Sequence, residues 1–216
     1  MKEFIINHND SGQRLDRFVL KAVPRLPQSM MYKAIRNKRI KLNGRRAEIS
    51  SRLCEGDTVQ MYLNDEFFDS VPETEFMSVS SALNIIYEDD NIMLLDKKNG
   101  MVVHEDDDNT ADTLINRVKR YLYEKGEYDP GAENSFAPAL CNRLDRNTGG
   151  IVIAAKNAES LRILNQKIRD REIEKYYLCV TVGVPPKKAD TVTAYLEKDS
   201  ASNTVKVTDR KSGTNK

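Results

Sequence analysis

At 216 residues the chain can hold one large or two modest domains, and 31% charged with 39% hydrophobic residues is the balance of an ordinary soluble protein. Nothing approaches a membrane-spanning length and Met1–Phe4 opens no signal-peptide core, so a cytoplasmic protein is expected. The net charge of +1 conceals segregation, with +7 on residues 1–63, −11 on 64–110 and +5 on 111–216, and a basic head of that kind can bind a polyanion whatever the total.

The cysteines Cys54, Cys141 and Cys179 are scattered without metal-ligand spacing, and their odd number fits a reducing compartment better than a disulfide framework. Cys141 reads as a small apolar strand residue. A catalytic thiol would want a nearby histidine, and the chain has only His8, in an N-terminal tail, and His104.

Residues 1–63 are expected to form a first domain, with 12–63 as its compact part. Leu15, Phe18, Val19 and Ala22 recur at helical spacing, and Pro24 and Pro27 punctuate the end. Ser29 is placed to cap a second helix bearing Met30, Met31, Ala34 and Ile35. Ile40–Leu42 alternates as a strand, Asn43-Gly44 signals a hairpin turn, and Gly56-Asp57 opens a last strand over 58–63.

Between Arg17 and Glu48 there is no acidic residue, while Arg17, Lys21, Arg25, Lys33, Arg36, Lys38, Arg39, Lys41, Arg45 and Arg46 are all cationic. Sustained charge of one sign repels itself on a folded unit, so a polyanion is the natural partner; a basic face that is merely soluble is the alternative. Arg14-Leu15-Asp16, the basic second helix, Lys41-Leu42-Asn43-Gly44 and Glu55-Gly56-Asp57 together resemble an S4 RNA-binding domain. That resemblance implies RNA contacts from Arg17, Lys33, Arg36, Lys38, Arg39, Lys41, Arg45 and Arg46.

Residues 64–83 are acidic, with serines and Pro72, and read as a linker. A second domain is expected over 84–216. It opens with strand 85–87, turn 88–91 and strand 92–97, then Asn99-Gly100 and Met101-Val102-Val103-His104. Glu105 to Asn109 lacks the alternation and central glycine of a calcium loop, so it reads as a solvated acidic turn and no metal site is expected. Residues 111–125 read as a helix with Ala111, Leu114, Ile115, Val118 and Leu122 on one face, and 126–137 as a polar loop.

The run from Asn142 to Gly150 places one carboxylate, Asp145, between Arg143 and Arg146 in a polar turn before the aliphatic strand 151–155 and Lys156. Opposite charge within a few ångströms favours an ionised carboxylate, and Gly149 and Gly150 let backbone approach a ligand. Spacing alone fits equally well a solvated aspartate whose arginines face water. Asn157 then caps a helix containing Leu161, Ile163, Leu164 and Ile168, and a strand follows over 176–182. At the start of that strand Tyr177 reads, by itself, as a core tyrosine.

Arg-Leu-Asp, two residues, Thr, a small residue, Gly and an aliphatic strand ending Ala-Lys resembles the active-site segment of RluA-type pseudouridine synthases. The opening hairpin resembles that family too, with Lys97, Gly100 and His104 matching and Lys98 in place of its usual proline. The resemblance implies isomerisation of uridine to pseudouridine without a cofactor. It implies Asp145 as the essential carboxylate, Arg143 in the space left by the flipped base, and Tyr177, from the family's Lys-x-Tyr, stacked on the uracil.

Asn142 and Gly149 depart from the family's usual His and Ser, and the family's later Gly-Arg-Thr-His-Gln-Ile-Arg segment does not occur before Lys216. Either the chain is part of a longer protein, which is the expected case, or its lineage has lost the second half of the catalytic sheet; alone it is expected to be weakly active or inactive. The expected fold is α+β: a small S4-like α/β domain followed by a mixed, mainly antiparallel-sheet catalytic domain that is incomplete. The expected partner is structured RNA, ribosomal RNA first and transfer RNA second, bound by a monomer. A non-catalytic RNA-binding protein and a glycosidase acting on small nucleosides are the competing readings.

Overall fold

The computed structural model describes residues 1–69, 75–105, 110–199 and 204–208. It divides into two compact units, Met1–Ile173 and Glu174–Lys216. The first is α+β and carries two four-stranded antiparallel sheets, ordered β1-β4-β2-β3 and β5-β6-β8-β7.

The first sheet comprises β1 (Lys2–Ile5), β2 (Ile40–Leu42), β3 (Arg45–Arg46) and β4 (Thr58–Met61), with helices α1 (Leu15–Ala22) and α2 (Gln28–Arg36). Leu15, Phe18 and Val19 bring one face of α1 completely into the core, each worth about 1.5–3 kcal/mol of burial. Met31, Ala34 and Ile35 do the same for α2, whereas Met30 on the same helix is 45% exposed. Ser29 is not the cap of α2: it lies inside the first turn, behind the fixed backbone of Pro27, whose carbonyl accepts from the Met31 N–H at 3.0 Å. Asn43 and Gly44 adopt φ of 52° and 73°, and β2 pairs Leu42 with Arg45 across a two-residue turn whose positive φ values match the twist of a tight hairpin. The N-terminal residues are not a tail. β1 pairs with β4, and Phe4 and Ile6 are buried in the same core.

The second sheet comprises β5 (Ile85–Glu88), β6 (Ile92–Lys97), β7 (Ala139–Leu140) and β8 (Gly150–Ala155). Asp89 accepts from the Asn91 and Ile92 N–H groups and thereby closes the β5–β6 turn. Helix α3 (Leu114–Glu124) packs Leu114, Val118 and Leu122 against Met93, Leu95, Val152 and Ala154. It begins three residues later than expected because Thr113 caps it, accepting from the Asn116 N–H, which leaves Ala111 exposed outside. Helix α4 (Ala158–Arg169) is capped by Asn157 as its sequence implies.

The stretch read as a linker contributes to both cores. Phe67 and Phe68 pack on the first, and Phe76, fully buried, fills the second. Pro72 and Glu73 lie outside the described residues, as do Asp106 to Asn109 of the acidic turn and residues 209–216.

Polar contacts join the two sheet layers. Asp10 is fully buried and accepts from Ser135 Oγ at 2.5 Å and Asn134 Nδ2 at 2.7 Å. Asn7 and Asn9 donate to Glu133, the Asn9 amide oxygen accepts from the Ala158 N–H, and Arg162 donates to the Ser11 carbonyl. The loop expected to be simply polar, 126–137, is thus a tether. It also buries Tyr128 and Phe136.

In the second unit, β9 (Tyr195–Asp199) pairs antiparallel with β10 (Thr204–Thr208). The strand expected over 176–182 is absent: these residues form no regular element, and Leu178, Val180 and Val182 are fully exposed. An apolar alternating run becomes a strand only when another strand accepts its ladder, and none of the described strands pairs with it. Among the described residues no helix is long and apolar enough to cross a membrane.

Candidate active site

The β6–β8 register sets the site. It runs from Ile92 opposite Ala155 to Lys97 opposite Gly150, which brings the end of β6 against the polar turn entering β8. Asn142 extends the neighbouring ladder with its side chain: its Oδ1 accepts from the Ile153 N–H at 2.8 Å and its Nδ2 donates to the Ile151 carbonyl at 3.2 Å. Leu144 then packs on the second core. Thr148 closes the turn, its N–H donating to the Asp145 carbonyl at 3.0 Å.

Two glycines permit this approach. A Cβ on Gly149 would stand 3.4 Å from the Lys97 carbonyl oxygen, and Gly150 has φ of 132°, a conformation that a side chain would strain.

Lys97 organises the turn from beneath. Its side chain is almost completely buried, and its ammonium donates to the carbonyls of Met101 at 2.9 Å, Arg146 at 3.1 Å and Lys98 at 3.2 Å. The Gly100 N–H donates to the same Arg146 carbonyl at 2.8 Å. One buried cation therefore ties residues 97–101 to the backbone immediately after Asp145. Burial takes the Lys97 ammonium below its usual pKa, with the negative charge of Asp145 acting in the opposite sense.

Asp145 is exposed and lines an open groove of about 510 Å³ with Val102, Val103, His104, Glu105, Arg143, Leu144 and Arg146. Arg143 and Arg146, which flank it in sequence, are exposed and line the same groove. Arg143 also acts on His104, whose imidazole is held below its usual pKa by desolvation and by the positive charges of Arg143 and Lys119. Cys141, just past the end of β7, is pushed up to about 11 by burial, as suits an inert thiol.

Tyr177 belongs to the second unit and is 64% exposed. On α1, α2, the loop after α2 and β3, Arg17, Lys33, Arg36, Lys38, Arg39, Arg45 and Arg46 are exposed, and none of them forms a salt bridge among the described residues. Lys41 is half-buried, its ammonium 5.1 Å from the centre of the Tyr62 ring. Lys38 occupies the left-handed conformation, φ 60°, just past α2. The Arg39 N–H bonds to the Ala34 carbonyl and the Lys38 N–H to the Ile35 carbonyl, a helix stop that ordinarily uses glycine.

Sequence reading missed the tie from Lys97 to the motif turn and the ladder made by Asn142. The signal for the first was Lys97 itself, two residues before Asn99-Gly100.

Residues 91–216 match the family model described as RNA pseudouridylate synthase, and residues 13–59 match that of the S4 domain. An uncharacterized RNA pseudouridine synthase of Mycoplasma capricolum is 38% identical over 184 residues, covering 84% of this chain and 59% of that protein. One from Mycoplasma genitalium is 30% identical over 212 residues, covering 95% of this chain and 63% of that protein. Ribosomal large subunit pseudouridine synthase C of Vibrio vulnificus is 28% identical over 206 residues, covering 94% and 62%. The chain spans about three-fifths of the length of these relatives. Because a family model takes in more than half of its residues, together with the turn that carries Asp145, the chain belongs to the RNA pseudouridylate synthase family.

Proposed function

We propose that this chain supplies the RNA-holding head and the reacting carboxylate of an enzyme that isomerises uridine to pseudouridine in structured RNA. The observation that carries this reading is the placement of Asp145. It stands on a turn anchored at three points, in a groove beside Arg143 and His104, on a chain that also presents an unpaired basic face.

In this reading Arg17, Lys33, Arg36, Lys38, Arg39, Lys41, Arg45 and Arg46 hold phosphates, and the target nucleotide leaves its stack to enter the Asp145 groove. Extrusion costs a few kcal/mol that protein contacts must offset, and the planar guanidinium of Arg143 is suited to fill the vacated space. A carboxylate beside C1′ can stabilise positive charge there, attack it, or take a neighbouring proton. The N1–C1′ bond breaks, the uracil turns, C5 bonds to C1′, the C5 proton is lost with help from Tyr177, and N1 takes up a proton, so that N1–H replaces C5–H. Bonds broken and formed balance without redox change, so no cofactor is invoked.

Ribosomal RNA is the proposed substrate, supported by relatives named for the large ribosomal subunit, with transfer RNA second. The protein is proposed to act as a cytoplasmic monomer, in an S4-like domain over 1–63, a linker over 64–83 and a catalytic portion over 84–216. The test is chemical mapping of pseudouridine in cells whose chromosomal gene is deleted. At least one ribosomal uridine should lose its mark, regain it with the intact gene, and fail to regain it with the Asp145→Ala allele. Unchanged maps, or restoration by that allele, would overturn the reading.

A further inference from the structure

A second groove, of about 540 Å³, opens between the two sheet layers of the first unit. Its walls include Lys21 from α1, Lys119 from α3, and Ser135 and Phe136 from the tether loop, and it shares His104 and Glu105 with the Asp145 groove. The two cavities therefore adjoin along one wall. The volume falls within the roughly 300–1,000 Å³ of sites that enclose small ligands.

We infer that this groove holds the RNA strand that leads into the Asp145 groove, with a phosphate at Lys21 and the next sugar against Phe136 and Ile115. The inference rests on the proposed function and extends it to a binding site that sequence reading did not contain.

Charge and construction both favour a nucleic-acid occupant. Lys21 is exposed and forms no salt bridge among the described residues, and Lys119 and Arg143 place two further cations along the path. Among the described residues that line this groove Glu105 is the one acid, and its carboxylate accepts from Asn116 Nδ2 at 3.3 Å. The walls are held together rather than merely adjacent: Ser135 donates to the buried Asp10 and accepts from Gln13 at 2.8 Å. The floor is apolar, with Phe136 and Ile115 each 7% exposed, a surface on which a ribose can rest.

The test uses the full chain and a fluorescein-labelled RNA hairpin carrying 4-thiouridine in its loop. Lys21→Gln, an exposed substitution, should weaken binding about fivefold and make the slope of log affinity against log salt shallower by roughly 0.7–0.9, the signature of one lost phosphate contact. Photo-cross-links should map to peptides containing His104 or Phe136. If the unsubstituted chain binds the hairpin, but Lys21→Gln leaves affinity and slope unchanged and cross-links are confined to residues 33–46, the groove is not on the RNA path and the proposed function survives. If the unsubstituted chain does not bind the hairpin at all, both fall together.

Discussion

Replacing Glu88 by Gln tests the electrostatic frame that supports the site. Glu88 ends β5, its side chain is 15% exposed, and its carboxylate accepts from Lys125 at 2.7 Å, from Lys156 at 2.9 Å and from the Tyr121 hydroxyl at 2.9 Å. Lys156, the last residue of the active-site motif, is 7% exposed and also reaches Glu127 and the Asp89 carbonyl. Burial pushes the Glu88 carboxyl up, but the bonds from Lys125, Lys156 and Tyr121 outweigh it and bring its pKa from 4.5 down to about 2. At about 1.4 kcal/mol per unit, that depression corresponds to about 3 kcal/mol of stability at neutral pH, within the range for breaking a buried pair. Because folding lowers this pKa, the contribution is complete above about pH 4.5 and is lost as the pH falls towards about 2. Urea unfolding followed by far-ultraviolet circular dichroism should find Glu88→Gln less stable by about 3 kcal/mol at pH 7, with the gap narrowing below pH 4.5. A gap under 1 kcal/mol at pH 7, or one that does not change with pH, would refute the argument.

Three other expectations concern the site and the head. Lys97→Met keeps the buried volume but removes the tie to the Arg146 carbonyl; in the intact gene product it should lower kcat by about a hundredfold with KM little changed, read by single-turnover pseudouridine formation. Lys38→Gly relieves the left-handed lysine after α2, so it should raise stability by about 0.5–1 kcal/mol in urea melts while weakening RNA binding in a filter assay. With its pKa at about 11, Cys141 should react with a disulfide reagent at pH 8 far more slowly than the exposed Cys54 and Cys179, as timed labelling with peptide mapping would show.

The elements read correctly from sequence are those whose cause lies within a few residues. The Asn43-Gly44 turn, the Ile85–Lys97 hairpin, the apolar faces of α1 and α3 and the Asn157 cap all follow from backbone preference or from a period of two or 3.6. The order of residues around Asp145 and the run of cations from Arg17 to Arg46 were likewise visible in one dimension.

What periodicity could not supply was the identity of distant partners. Lys97 reaches a carbonyl 49 positions away and Asp10 a hydroxyl 125 positions away. Phe76, in a stretch with no pattern, became a core residue because a second sheet layer came to cover it. Tyr177 and its alternating neighbours had every local mark of a strand and formed none, since a ladder needs a second strand. Residue order thus determined the turns, the helical faces and the carboxylate, through torsional preference and side-chain spacing. The fold alone decided which charges are buried, which carbonyl Lys97 holds and where two grooves meet, because desolvation and hydrogen bonding depend on what surrounds a group in space.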